Sequence, residues 1–178
     1  MRVPSHIFRE YDIRGVADRD LTDELAYGLG RGLATQLGAA AGTATPRLCV
    51  ARDCRLSSPR LHAALLKGLT EGGARVVDLG VGPTPMLYFG VHHLGTDGGV
   101  MITGSHNAGD ENGFKMVRGT ASFYGADIKA LLARVVEERF VSAEGSITAG
   151  SVEDAYEHAL LDGLRLSGAP KVVLDAGN

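Results

Sequence analysis

Arg47-Leu-Cys-Val-Ala-Arg-Asp53, Ser57-Ser-Pro-Arg60 and Arg75-Val-Val-Asp-Leu79 together decide the fold. The first is an apolar run with the length of a buried strand, and the second opens a helix with proline in its first turn. Leu61, Leu65, Leu66 and Leu69 give that helix one apolar face, and Gly72-Gly73 ends it. The third run is another strand, closed by the turn Gly80-Val-Gly-Pro-Thr-Pro85. Strand, helix and strand in this order form a β-α-β unit, the building block of α/β domains.

The pattern continues on both sides. Thr22 is an N-cap residue, and Leu25, Leu29, Leu33 and Leu37 follow at helical spacing until Gly38. Met86 to Leu94 reads as a short helix, Gly98 to Thr103 as a third strand and Gly113 to Arg118 as a fourth. Only the nine residues Gly104 to Asn112 join these last two strands. So short a link cannot hold a crossover helix, and the pair is expected to run antiparallel at one end of the sheet. Tyr124 to Phe140 reads as a helix with Ile128, Leu131, Leu132 and Val135 on one face. The expectation is a three-layer α/β/α sandwich with a mixed, mostly parallel sheet of about four strands over residues 1–150. Ser142 to Ser151 reads as a linker, and Val152 to Leu164 as a helix outside the sheet domain. Lys171-Val-Val-Leu-Asp-Ala-Gly-Asn178 has the look of a strand opening a new unit. Residues 151–178 are therefore expected to be a linker helix and the first strand of a truncated second domain.

Composition narrows the function classes. At 178 residues, with 44% hydrophobic and 22% charged residues, the chain has the makings of a packed core. Its 18 basic and 21 acidic residues give a net charge of -3, so no cationic field draws it to nucleic acid or anionic lipid. No apolar run approaches the roughly 20 residues that span a bilayer, and Met1 to Glu10 lacks the apolar core of a secretory signal, so the cytoplasm is the expected compartment. Cys49 and Cys54 fit neither a disulfide framework nor CxxC metal spacing and read as free thiols. Gly28-Leu-Gly-Arg-Gly32 breaks the dinucleotide G-x-G-x-x-G spacing and lies within the leucine-faced helix, where packing explains it better.

The chemistry concentrates in Thr103-Gly-Ser-His-Asn-Ala-Gly-Asp-Glu-Asn-Gly-Phe-Lys115. This loop follows a strand, where α/β sheets bind ligands, and its glycines allow the clustered backbone N–H groups that hold anionic oxygens. Ordinary surface connections share that composition, so composition alone does not separate a phosphate loop from a plain one. Ser105 does not sit in a hydrolase elbow, because Thr103 and Asn107 occupy both glycine positions of G-x-S-x-G, and no Walker A pattern is present.

Asp97-Gly-Gly-Val-Met-Ile-Thr-Gly-Ser-His-Asn107 resembles the phosphoserine loop of the α-D-phosphohexomutases, usually written T-A-S-H-N-P, and Asn112-Gly-Phe-Lys115 resembles the lysine element that follows it. Phe8-Arg-Glu-Tyr-Asp-Ile-Arg-Gly15 is similar to the family's Y-D-I-R-G signature, Ala51-Arg-Asp-Cys-Arg-Leu-Ser57 to G-R-D-x-R-x-S, and Gly82-Pro-Thr-Pro85 matches as well. Gly104 and Ala108 depart from the pattern's alanine and proline, and both departures loosen the loop's backbone.

The resemblance implies an intramolecular phosphotransferase. Ser105 would carry a phosphoryl group, give it to a hexose phosphate and take back the other phosphate of the resulting bisphosphate, interconverting 1- and 6-phosphates of glucose, mannose or, less expected, glucosamine. Ser105 would also offer a phosphate oxygen to magnesium, and a sugar bisphosphate would act as activator. Lys115 would support the phosphate or exchange a proton with the sugar hydroxyl, with Arg14 as its neighbouring cation. Tyr11 would contact substrate, and His106 would support the loop. Arg52 and Asp53 are expected to form a structural ion pair at a strand end or to support the site from behind the residues that touch substrate. The family's aspartate-rich metal loop and sugar-selecting parts would belong to remaining domains of a parent polypeptide, and this chain alone is expected to be inactive. The competing expectation is a stand-alone phosphate-binding or interaction module without turnover.

Overall fold

The computed structural model describes residues 2–175. After a single 3-10 turn at Ser5–Ile7 come β1 (Ile13–Val16), α1 (Asp23–Ala41), β2 (Arg47–Arg52), α2 (Ser58–Glu71), β3 (Arg75–Val81) and α3 (Thr84–His93). Then follow β4 (Gly98–Ile102), β5 (Glu111–Arg118), β6 (Ala121–Ser122), α4 (Ala126–Val136), β7 (Ser146–Ala149) and α5 (Glu153–Leu161). The strands form one seven-stranded sheet in the order β1-β5-β4-β2-β3-β7, with β6 beside β5. The β4–β2, β2–β3 and β3–β7 pairs are parallel, while β5 runs antiparallel to β1, β4 and β6. One strand is thus reversed in an otherwise codirectional sheet, as the short β4–β5 loop requires.

Strand alternation divides the core into two layers. Leu48 and Val50 of β2 join the buried cluster that holds α1, α2 and α4, whereas Cys49 and Ala51 join the one that holds α3. Leu25, Leu29, Leu33 and Leu37 of α1 are almost completely buried, each contributing about 1.5–3 kcal/mol of transfer free energy. Thr22 caps α1 by accepting the Leu25 N–H at 3.1 Å. The glycine triplet of α1 is a packing feature: a Cβ on Gly30 would stand 2.4 Å from the Leu65 carbonyl oxygen of α2. Both cysteines are free. Burial pushes the Cys49 thiol up, and Cys54 is exposed.

Four expectations change. The sheet has seven strands rather than about four, because β1, β6 and β7 are short and gain their strand character from partners. The expected linker contributes β7, which pairs with β3 at one sheet edge. The helix expected outside the domain docks on it: Val152 is buried, and Tyr156 lies 5.4 Å from the Phe89 ring of α3. Residues 171–175 are exposed and form no strand, since no strand of this sheet pairs with them, and residues 176–178 of that expected strand lie outside the described residues. In addition α4 stops at Val136, with Glu138 just beyond it in the left-handed region at φ 51°.

Among the described residues no helix is long and apolar enough to cross a membrane.

Candidate active site

The loops leaving the carboxyl ends of β2, β3 and β4 meet around a cleft of about 690 Å³. Asp53 and Arg55 come from the first, Pro83 and Thr84 from the second, and Ser105, His106 and Asn107 from the third. This is the end of a parallel sheet where ligands bind. An irregularity between β2 and β3 lies just before the rim: Val50 pairs with Asp78 and Arg52 with Val81, leaving an extra residue on β3 where Gly80 adopts φ 70°.

Ser105 is exposed and has φ 52°, a left-handed conformation that a non-glycine residue adopts at a cost of about 1–2 kcal/mol. Its surroundings hold it there. Its N–H donates to Thr103 Oγ1 at 2.9 Å, and the preceding Gly104 N–H donates to Asp53 Oδ2 at 3.0 Å. Arg55 reaches across from the β2 loop: Nη2 donates to the carbonyls of Ser105 (3.2 Å) and Asn107 (2.7 Å), and Nη1 to those of Ala108 (2.5 Å) and Glu111 (2.9 Å). A Cβ on Gly104 would lie 2.3 Å from Arg55 Nε, so the glycine that stands for the family's alanine lets the guanidinium lie against the loop backbone. The Ser105 hydroxyl and His106 Nδ1 are 3.2 Å apart.

Arg14 and Lys115 approach from β1 and β5. Arg14 Nη1 donates to Asn107 Oδ1 at 2.8 Å, linking β1 to the serine loop. Its other terminal nitrogen donates to Asp12 Oδ2 at 2.7 Å, and Lys115 Nζ donates to the same oxygen at 3.4 Å. Arg14 therefore meets Lys115 through a shared carboxylate and not as a bare neighbouring cation. Tyr11 is exposed, stacks on Tyr124 at 6.3 Å, and shares with Lys115 and Tyr88 a separate cleft of about 370 Å³. Burial, with the Asp12 charge adding to it, pushes the Tyr88 phenol up.

The structure thus brings Ser105, His106, Arg14 and Lys115 into one connected cluster and sets Tyr11 on its Lys115 side. The expected Arg52–Asp53 ion pair is absent from the described contacts. Arg52 donates to the Asp53 backbone carbonyl, while the Asp53 carboxylate takes the Ser58 hydroxyl, the Arg55 and Gly104 N–H groups, and the Arg55 guanidinium at 3.5 Å. Arg55, Asp12 and Asn107 escaped the sequence reading. Arg55 stands in the quoted Ala51–Ser57 run, and the adjacency of β2 and β4 would have pointed to it. For magnesium the fit is incomplete, because no group of three or more metal-ligating side chains occurs among the described residues, and Asp12 and Asp53 are engaged by cations or hydrogen-bond donors. A phosphate on Ser105 is what this chain could offer the ion.

Residues 5–141 match the family described as phosphoglucomutase/phosphomannomutase, alpha/beta/alpha domain I. The chain belongs to this family. A phosphoglucomutase of Neisseria gonorrhoeae is 41% identical over 174 residues, covering 97% of the chain and 37% of that protein. A phosphomannomutase/phosphoglucomutase of Pseudomonas putida is 40% identical over 176 residues, covering 99% and 37%. The crystal structure of a phosphoglucomutase/phosphomannomutase family protein from Burkholderia thailandensis superposes with a TM-score of 0.86 at 38% identity, over 94% of the chain and 38% of that protein. As a phosphoglucomutase/phosphomannomutase domain I, the chain spans about 37% of the length of such relatives.

Proposed function

We propose that the chain is the phosphoserine-bearing part of a phosphohexomutase that interconverts hexose 1- and 6-phosphates, in the cytoplasm, with Ser105 as phosphoryl carrier. The observation that carries this reading is Ser105 itself: an exposed serine held at φ 52° on a loop clamped by Arg55 at the carboxyl end of β4. An exposed left-handed serine held this firmly is aimed by its surroundings, and such strain collects at functional sites.

In the forward half-reaction the P–O bond to Ser105 Oγ breaks and a P–O bond to a sugar hydroxyl oxygen forms, leaving a bisphosphorylated sugar. Lys115 in its neutral form would accept the hydroxyl proton; as an ammonium, the form that donates to Asp12 Oδ2, it supports the phosphate instead. The bisphosphate then reorients and returns its other phosphoryl group to Ser105. Arg14 braces the loop through Asn107, His106 supports the serine hydroxyl, and Tyr11 with Lys115 faces the sugar. A sugar bisphosphate serves as activator. Magnesium would supply charge neutralisation on the phosphoryl group, its carboxylate ligands coming from outside this chain.

Peptide mass spectrometry of the protein purified with a sugar bisphosphate is expected to place phosphate on Ser105. Phosphate recovered only elsewhere would sink the assignment. The 178-residue chain alone is expected to give no glucose 6-phosphate from glucose 1-phosphate in a coupled assay, even with magnesium and bisphosphate, because orientation supplies about 7–11 kcal/mol of such a barrier. Turnover by the chain that vanishes in Ser105→Ala would overturn that expectation.

A further inference from the structure

The guanidinium of Arg55 donates to the carbonyls of Ser105, Asn107, Ala108 and Glu111, four acceptors within one seven-residue arc of chain. The side chain is largely buried, with 16% of its surface exposed, and its Nε faces Asp53 Oδ2 at 3.5 Å. Every described peptide bond is trans. In a planar trans peptide the N–H points opposite to the C=O, so gathering the Ser105, Asn107 and Ala108 carbonyls on Arg55 turns the N–H groups of His106, Ala108 and Gly109 the other way. Each peptide unit carries a dipole of about 3.5 D, and in these three the positive end faces away from the guanidinium, toward the outer face of the loop. Ala108 and Gly109 present adjacent outward N–H groups, with that of His106 beside them across Asn107, whose own N–H donates to the Gly104 carbonyl; such grouped N–H donors are what an anion-binding concavity needs.

We propose that Arg55 is the positioning residue of the serine loop: it gathers the loop carbonyls so that the loop N–H groups face the phosphate that Ser105 carries, and it does so without touching the sugar. This rests on the phosphoryl-carrier reading of Ser105. Arg55 stands at the second arginine of the G-R-D-x-R-x-S pattern, and its hydrogen bonds restrain a loop whose backbone Gly104 and Ala108 leave free of a stiffening side chain and ring. A lysine could not replace it, since one ammonium presents its donors at a single point and cannot span four carbonyls.

Two measurements test the proposal separately from the reading beneath it. The first uses amide hydrogen exchange at residues 104–111 in the 178-residue chain, which needs no phosphoryl chemistry. Arg55→Ala is expected to raise exchange at least 10-fold at Gly104, Ser105, Asn107 and Glu111, whose N–H groups are hydrogen-bonded, while leaving α1 and β2 protected, and added guanidinium ion, far below unfolding concentrations, is expected to restore protection. The second uses the whole enzyme. Arg55→Ala and Arg55→Lys are expected to lower kcat about 100-fold with little change in KM, as a misplacement of about 1 Å can do, and guanidinium ion is expected to recover at least 10-fold of it in Arg55→Ala. Unchanged loop exchange in Arg55→Ala overturns the proposal, as does a loss of kcat that guanidinium leaves untouched. Exchange that follows Arg55 while wild-type Ser105 never takes up phosphate would uphold Arg55 as the loop's organiser and refute the carrier reading instead.

Discussion

Replacing Gly68 by alanine should destabilise the domain, against the usual rule for helices. In an exposed helix interior alanine gains about 1 kcal/mol over glycine. Gly68, however, sits where α2 crosses α1 with backbone against backbone. A Cβ there would stand 2.1 Å from the Tyr27 carbonyl oxygen and 3.1 Å from the Arg31 nitrogen. Ordinary contact begins near 3.4 Å, so the helices would have to part by 3.4 − 2.1 = 1.3 Å at that point. A gap of 0.5–1 Å already forfeits about a quarter to a half of a dispersion contact, and Leu29, Leu33, Leu61 and Leu65 lie in the same buried cluster. Overpacking costs typically about 1–3 kcal/mol, and here the obstructing atoms belong to a helix backbone that cannot rotate aside. The expected net loss is about 2 kcal/mol or more. Gly32 provides the control in the same helix pair's neighbourhood. Its added Cβ would meet Leu131 Cδ1 at 2.9 Å, the far end of a flexible side chain, and Val135 Cγ2 at 3.1 Å, which need give by only a few tenths of an ångström, and neither is helix backbone. Gly32→Ala should therefore stay within about 1 kcal/mol of wild type. Urea unfolding of the chain, fitted for midpoint and slope, reads both differences. A Gly68→Ala protein as stable as wild type, or less damaged than Gly32→Ala, would refute the close-crossing argument.

Two further outcomes follow from local geometry. Ser105→Gly should be about 1 kcal/mol more stable than Ser105→Ala, since both lose the hydroxyl but only alanine keeps the left-handed penalty; equal unfolding midpoints would show that the strain is absent. Hydrogen bonding from Arg19, helped by the Val16 N–H and opposed by partial burial, holds the Asp20 carboxyl down at about 2. Because that value is depressed on folding, the carboxylate's contribution is complete above the ordinary range near 3.8 and is lost as pH falls toward about 2. Asp20→Asn should flatten that part of the acid-unfolding curve, although Arg19 is exposed and salt will weaken the effect. Parallel pH profiles for the two proteins would refute the assignment.

The α-helices and the four central strands were legible because each carries its own pattern: leucines at helical spacing in α1 and α2, and apolar runs in β2 and β4 that are buried on both faces. β1 and β7 carry no such pattern. Ile13-Arg-Gly-Val16 is a strand because β5 pairs with it, and Ser146-Ile-Thr-Ala149 because β3 offers a parallel edge, with Ile147 still about half exposed. Their conformation is a property of the sheet, and the local residues merely permit it. The same division runs through the site. Ser105, His106, Arg14 and Lys115 sit in recognisable runs, whereas the roles of Arg55 and Asp12 exist only once β4 lies between β2 and β5 and β1 lies beyond β5.

Asp53 shows why a strand-end carboxylate could not be assigned from its neighbours in sequence. The adjacent Arg52 uses a guanidinium nitrogen on the Asp53 backbone carbonyl, leaving the carboxylate to partners that the fold delivers. One oxygen takes the Ser58 hydroxyl at the start of α2 and the Arg55 N–H, and the other takes the Gly104 N–H at the root of the serine loop. Ser58 in turn accepts from the fully buried Asn112 of β5, whose amide also reaches Ser57. An uninterrupted chain of hydrogen bonds therefore runs from β5 through the beginning of α2 to the end of β2 and into the Ser105 loop. Buried and partly buried polar groups this fully satisfied fix position, because each oxygen released would leave a donor unpaired at a cost of about 1–3 kcal/mol. Asp53 and Asp12 accordingly divide their work. Asp53 anchors the loop that carries the serine, and Asp12 holds Arg14 and Lys115 together at its flank.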